Sequence, residues 1–360
     1  MKIKTVLFFC FCFVLFAFQL ATEKPFVVPK GWPKPTYDFS KNPLNENTIE
    51  LGRTLFYEPM LSRNNIVSCA SCHSQYTAFT HVDHALSHGI EDKIGTRNSP
   101  ALINLAWQQF FMWDGAVNHL DVQALAPIAN PVEMDENISN VVKITTLKTL
   151  PNAFLQAFGD SVVTGEHTLK ALSQFMLTLV SHNSKYDSVM RKEAVFTSQE
   201  NNGYLLFKKN CASCHTEPLF TNNEFKSNGL PIDTTLNDYG RFGITKNAKD
   251  SLKFKVPSLR NIEFSYPYMH DGRFKKLSEV LKHYTTGALH NQALSKELQN
   301  PIVLNANERV DIVAFLLTLT DRSFLFNPNF SYPKNLFSTQ RRIKKSSASI
   351  TLTNIIKNEL

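Results

Sequence analysis

Cys69-Ala70-Ser71-Cys72-His73 recurs without change as Cys211-Ala212-Ser213-Cys214-His215, and the reading of the whole chain starts from this repeated pentapeptide. Two thiols spaced by two residues stand about one helical turn apart, and a histidine follows directly. That spacing is the attachment signature of c-type haem: the thiols add to the two vinyl groups and the histidine becomes an axial ligand of the iron. A zinc site is the first alternative, but each motif would lack a fourth ligand, and adjacent Cys and His bind one zinc poorly. A redox dithiol is the second, and it leaves the histidine after each pair unexplained. Two covalent haems are therefore expected, bound through Cys69, Cys72 and His73 and through Cys211, Cys214 and His215.

The repetition extends outward. Gly52-Arg53-Thr54-Leu55-Phe56 precedes the first pentapeptide and Gly203-Tyr204-Leu205-Leu206-Phe207 the second. Phe175-Met176-Leu177-Thr178-Leu179 and Phe315-Leu316-Leu317-Thr318-Leu319 follow at nearly equal distances. Segments 46–58, 167–181, 199–210 and 307–320 carry apolar residues at helical spacing, and alternating strand patterns are few. The expected fold is mainly α, with two tandem cytochrome c-like domains over 22–185 and 186–330, each holding one haem. In the last segment Val310, Val313, Ala314, Leu317 and Thr318 form one stripe adjoined by Ile312, Phe315, Leu316 and Leu319, so that helix is expected to be buried on most sides. The polar stretch 183–198 is the expected interdomain connection, and 331–360 reads as a basic tail.

Composition agrees with a folded chain of two domains: 360 residues, 43% hydrophobic, no apolar run long enough for a transmembrane helix. The formal net charge of +7 invites a nucleic-acid reading, but the excess sits in Lys2 and Lys4 and in the last thirty residues. The body between them is formally neutral, has no basic stripe and carries no nucleic-acid-binding motif. Met1–Ala21 reads as an export signal, with Lys2 and Lys4 before the apolar run 6–18; because Gln19 weakens the cleavage site, an uncleaved anchor is the alternative. A periplasmic location follows. Cleavage would remove Cys10 and Cys12 and leave only the four motif cysteines.

The motifs from Leu51 to Leu319 resemble those of the bacterial di-haem cytochrome c peroxidases and their MauG-like relatives. They include Leu61-Ser62, Gly95-Thr96-Arg97-Asn98-Ser99-Pro100, Phe111-Met112-Trp113-Asp114-Gly115, Gln123-Ala124 and Asn130-Pro131-Val132-Glu133-Met134. In the second half they include Val256-Pro257-Ser258-Leu259-Arg260-Asn261 and Tyr266-Pro267-Tyr268-Met269-His270-Asp271-Gly272. The resemblance implies that the N-terminal haem reacts with peroxide and the C-terminal haem receives electrons. It assigns Glu133 as distal acid/base, Gln123 as a distal-pocket hydrogen-bond donor and Trp113 as a relay between haems. It also implies an interdomain Ca2+ with oxygens from Asn98, Ser265 and Pro267. Taken alone, Glu133 reads as a surface glutamate, Gln123 as a polar helix residue and Trp113 as a core residue.

Two departures matter. Many relatives place a sixth-ligand histidine on the reactive haem at a position that falls near Ile90 here, with His81, His84 and His88 close by; an open reactive haem is expected, and a shift in loop register would bring in His88. Where a peroxidase methionine ligand is expected on the other haem, Tyr284 stands within His283-Tyr284-Thr285-Thr286-Gly287, similar to the tyrosine-ligated MauG-like branch; Met269 is the second candidate. The resemblance implies reduction of hydrogen peroxide to water with electrons from a small cytochrome c or cupredoxin, and it admits a homodimer. The alternatives are a MauG-like oxidase acting on a protein or peptide side chain and a di-haem electron carrier without a catalytic pocket.

Overall fold

Asn45 accepts the Thr48 N–H and so starts the helix Glu46–Phe56, while Thr164 accepts the His167 N–H and starts Gly165–Leu177. The second half repeats the device with full capping boxes, Thr197 with Glu200 before Ser198–Asn210 and Asn305 with Glu308 before Ala306–Leu317. In each half the first helix packs on the second through a glycine: Gly52 against Ala171 and Phe175, Gly203 against Asp311 and Phe315. The computed structural model describes residues 24–334 apart from 148 and 149, so the export signal and nearly all of the basic tail lie outside the described residues.

Two apolar cores form around these helix pairs. Leu55, Phe56, Phe79, Phe154 and Phe175 centre the first, and Phe207, Phe220, Ile312, Phe315 and Leu319 the second. The fold is the expected mainly α tandem: among the described residues the only paired strands are Phe225–Lys226 and Phe254–Lys255, antiparallel with Phe225 opposite Lys255. The chain then turns back, and Phe324, Leu325 and Phe330 join the first core. Gln75 Nε2 donates to Asn327 O at 2.7 Å and Tyr57 Oη to Phe330 O at 2.8 Å, closing that return.

One sequence expectation changes. The helix Ala306–Leu317 is buried on one face only. Ile312, Phe315 and Leu316 are inside, whereas Val310 is 57% and Leu317 41% exposed, because the glycine contact at Gly203 fixes which face turns inward. The stretch 183–198 is a docked element, with a helix Lys185–Met190 that buries Tyr186 and Asp187. Asp187 pairs with buried Arg260 at 2.8 Å, and Asp321 Oδ2 accepts the N–H groups of His182 and Asn183.

Arg97 ties the halves together. It donates to Asp114 in its own half at 2.6 Å and to both carboxylate oxygens of Asp238 in the other, a bidentate arrangement that fixes orientation as well as distance.

Candidate haem centres

Both pentapeptides present free thiols and a histidine whose second ring nitrogen is committed. His73 Nδ1 lies 2.8 Å from Phe79 O and His215 Nδ1 3.1 Å from Phe220 O. A carbonyl only accepts, so Nδ1 carries the proton and Nε2 keeps the lone pair a metal needs. Phe79 and Phe220 reach these positions in the left-handed region, at φ 56° and 55°, an uncommon conformation for a bulky residue that recurs at the same point of each half. Burial pushes both histidines down to about 4, which keeps the imidazoles neutral and able to ligate.

At the second centre, Cys211, Cys214 and His215 open onto a largely apolar cavity also lined by Met269, Tyr284, Leu281 and Ile312. Free cysteines, a neutral imidazole and an apolar cavity are what a covalently held haem requires. Tyr284 sits in a π-helical turn, His283–Gly287, directly after the helix Leu277–Lys282, a distortion that often marks a functional position. Burial raises its phenol to about 12, opposed by a hydrogen bond from the Asn228 side chain. Asn228 Nδ2 also donates to Met269 Sδ at 3.4 Å, and its carbonyl accepts from His283 Nε2 at 3.0 Å. Asn228 thus organises the wall that holds both candidate ligands. Sequence reading missed it, and an Asn-Gly pair in a loop gave only a turn signal.

At the first centre, Glu133 is partly buried and burial raises its carboxyl, against an opposing hydrogen bond from Asn130 Nδ2 at 2.7 Å. Cys72 Sγ donates to His88 O at 3.4 Å and the next residue, Gly89, packs against the Glu133 backbone, so Glu133 stands close to the attachment site, where burial pushes the Cys69 and Cys72 thiols up. The loop residue against Glu133 is Ile90: it is fully buried, and its N–H donates to Glu133 O at 2.7 Å. The His88 ring bonds Asp92 at 3.0 Å and stacks on His84 with ring centroids 4.0 Å apart. Gln123 Nε2 contacts Met112 Sδ at 3.6 Å.

Trp113 lies where the two halves meet. Its Nε1 donates to Asn98 O at 2.8 Å and its carbonyl accepts the Lys255 N–H at 2.7 Å. Trp113, Asn98, Ser265 and Pro267 all line the same cavity as Cys214 and His215. The fold also reveals a repeat that the sequence reading did not pair: Phe111-Met112-Trp113-Asp114-Gly115 corresponds to Tyr268-Met269-His270-Asp271-Gly272. Met112 and Met269 are both left-handed, at φ 67° and 74°, and Phe111 and Tyr268 make matching bridges to Val117 and Phe274. By the same correspondence Lys255 takes the place of Asn98, each standing at the same distance before its methionine.

Residues 46–195 match the family described as di-haem cytochrome c peroxidase, and residues 201–320 the family described as cytochrome c. The chain is 36% identical to a methylamine utilization protein MauG of Methylorubrum extorquens, over 83% of this chain and 84% of that one. It is 34% identical to a cytochrome c551 peroxidase of Nitrosomonas europaea, over 81% and 84% respectively. A crystal structure of a MauG-like protein associated with microbial copper homeostasis superposes with a TM-score of 0.78 at 31% identity, covering 86% of this chain and 99% of the other. The repeated haem signature, the tandem helical fold and these similarities agree: the chain belongs to the di-haem cytochrome c peroxidase family, which includes the MauG proteins and implies two c-type haems.

Proposed function

We propose that the protein reduces hydrogen peroxide to water at the centre of Cys69, Cys72 and His73, with electrons arriving through the centre of Cys211, Cys214 and His215. Haem, when bound, would supply the iron that takes up peroxide and would pass on the donor's electrons that reduce it. The observation that carries the reading is Glu133, a carboxyl lifted by burial beside the first attachment site and steadied by Asn130. Its task is to take the proton from the nearer peroxide oxygen and return it to the leaving one, a role suited to a carboxyl whose pKa is raised toward working pH. Ile90 in place of an imidazole supports an open coordination position there. Gln123 serves as a distal hydrogen-bond donor and Trp113 as the relay between centres.

The electron donor in this reading is a small cytochrome c or cupredoxin, and the working location is the periplasm, reached by the signal at residues 1–21. No helix among the described residues is long and apolar enough to cross a membrane. A Ca2+ held by Asn98, Ser265 and Pro267 would rest on neutral oxygens and water. Asn98 Nδ2 already donates to Ala85 O at 3.0 Å, so its amide oxygen is the end suited to a cation.

A second reading, a MauG-like oxidase of a protein or peptide side chain, is favoured by Tyr284 on the wall of the second cavity. Burial keeps the free phenol protonated, so ligation to a ferric iron would have to displace that proton; the resulting tyrosinate would lower the reduction potential. Stopped-flow mixing with hydrogen peroxide separates the readings. Rapid turnover with a reduced cytochrome supports the peroxidase. A long-lived oxidised species without turnover supports the oxidase, and no reaction sinks both.

A further inference from the structure

We propose that the Lys255 ammonium is the charge partner of a propionate on the haem held at Cys211 and Cys214, and that this pairing raises the reduction potential of that haem. The proposal rests on the attachment of haem at those cysteines, which the chain's family implies.

Lys255 lies on the strand Phe254–Lys255 where the two halves meet, and it lines the cavity that receives Cys214 and His215. Its ammonium donates to Gln108 Oε1 at 3.1 Å, and no carboxylate pairs with it among the described residues. Two other cations near this wall, one of them the only other lysine lining the cavity, are matched by carboxylates. Lys226, on the neighbouring strand, has Glu224 and Glu297 each at 2.8 Å, and Arg97 has Asp114 and Asp238 each at 2.6 Å. Burial alone pulls the Lys255 ammonium down to about 8, the behaviour of a cation taken from water without an anion in return. At the matching position of the first half stands Asn98, a neutral residue that bonds a backbone carbonyl. Only the second half places a cation there.

Haem brings two carboxylates of its own, and the cavity wall offers an ammonium that lacks one. A buried charge persists when it is paired and hydrogen-bonded, so a propionate at Lys255 resolves the imbalance, with Gln108 accepting a hydrogen bond from the same ammonium. The electrostatic consequence has a definite sign. Ferric haem carries one more positive charge than ferrous haem, so a neutralised propionate disfavours the ferric form and the potential rises. Deleting the cation exposes the iron to an unbalanced negative charge, and the potential falls. Because the Lys255 N–H also holds the Trp113 carbonyl, this charge sits beside the proposed electron route.

Spectroelectrochemical titration of the haem-loaded protein tests the pairing, with the wild type compared with Lys255→Met, Lys255→Gln and Lys255→Arg. The midpoint of the second haem should fall in the Met and Gln variants and stay near the wild-type value in Arg, while the first haem moves less. The resonance Raman propionate-bending band should shift in Lys255→Gln. Gln108→Leu, which keeps the charge, should leave the midpoint in place. A wild-type midpoint in Lys255→Gln, or a fall in Gln108→Leu as large as in Lys255→Gln, overturns the proposal. A pyridine haemochrome spectrum counts the haems separately: one haem in place of two defeats the attachment on which the pairing rests, whereas two haems with an unmoved midpoint defeat the pairing alone.

Discussion

Gly203 lies so close to Phe315 that a Cβ placed on it would stand 2.9 Å from the Phe315 Cβ and 1.9 Å from Asp311 O. Gly52 repeats the contact, at 3.0 Å from Phe175 Cβ and 1.9 Å from Ala171 O. The obstacle in each case includes main-chain carbonyl, which cannot rotate aside. Gly203→Ala and Gly52→Ala should therefore push the paired helices apart and cost about 3 kcal/mol each, a drop in Tm of roughly 10 °C. Thermal unfolding followed by circular dichroism checks this, and an unchanged Tm would contradict the close packing.

Glu133→Gln should slow the reaction with peroxide about 10²- to 10⁴-fold while both haems remain attached. The same change should stabilise the protein at neutral pH. Glu133 holds its proton to higher pH when folded than when unfolded, so its folding contribution is lost as pH rises from the unfolded value of 4.5 through the raised folded one. Glutamine does not ionise and escapes that loss. Denaturant titrations at about pH 4 and about pH 7 should show the variant gaining on the parent only at the higher pH.

Tyr284→Phe should change the absorption and magnetic circular dichroism of the second haem and leave the first unaltered. Met269→Leu should change them far less, because the Met269 sulfur already accepts the Asn228 amide and its backbone repeats the turn of Met112. An unaltered spectrum in Tyr284→Phe would exclude the tyrosine as a ligand.

Asp187 and Arg260 form a buried pair, with the guanidinium side chain 0% and the carboxylate 5% exposed. Removing one partner strands the other, so Asp187→Ala should cost about 3–5 kcal/mol. Burial pushes the Asp187 carboxyl up, but the Arg260 hydrogen bonds outweigh it and hold the group below the usual carboxylate range. The stability it contributes is therefore present above the unfolded value of 3.8 and lost as pH falls through the lowered folded value. Acid unfolding of Asp187→Ala should lack that component.

Local chemistry made much of the protein legible. Helical periodicity and the G-x-x-L-F repeat located the principal helices, because each depends on residues a few positions apart. Which face of Ala306–Leu317 turns inward was not local, since it depends on Gly203 in another helix. The pairing of Phe111–Gly115 with Tyr268–Gly272 shows in sequence only as a shared Met, Asp and Gly, and the backbone conformation of Met112 and Met269 with their matching bridges establishes it.

By itself the sequence determined that there are two attachment sites, one in each half of a mainly α tandem, since thiol spacing and the adjacent histidine are set by covalent geometry within five residues. Only the tertiary structure decided what surrounds them. Asn228 beside both Met269 and Tyr284, Ile90 against Glu133, and an ammonium at Lys255 with no carboxylate partner among the described residues are each products of segments far apart in the chain. Burial and charge pairing are properties of the packed neighbourhood, and no single segment carries them.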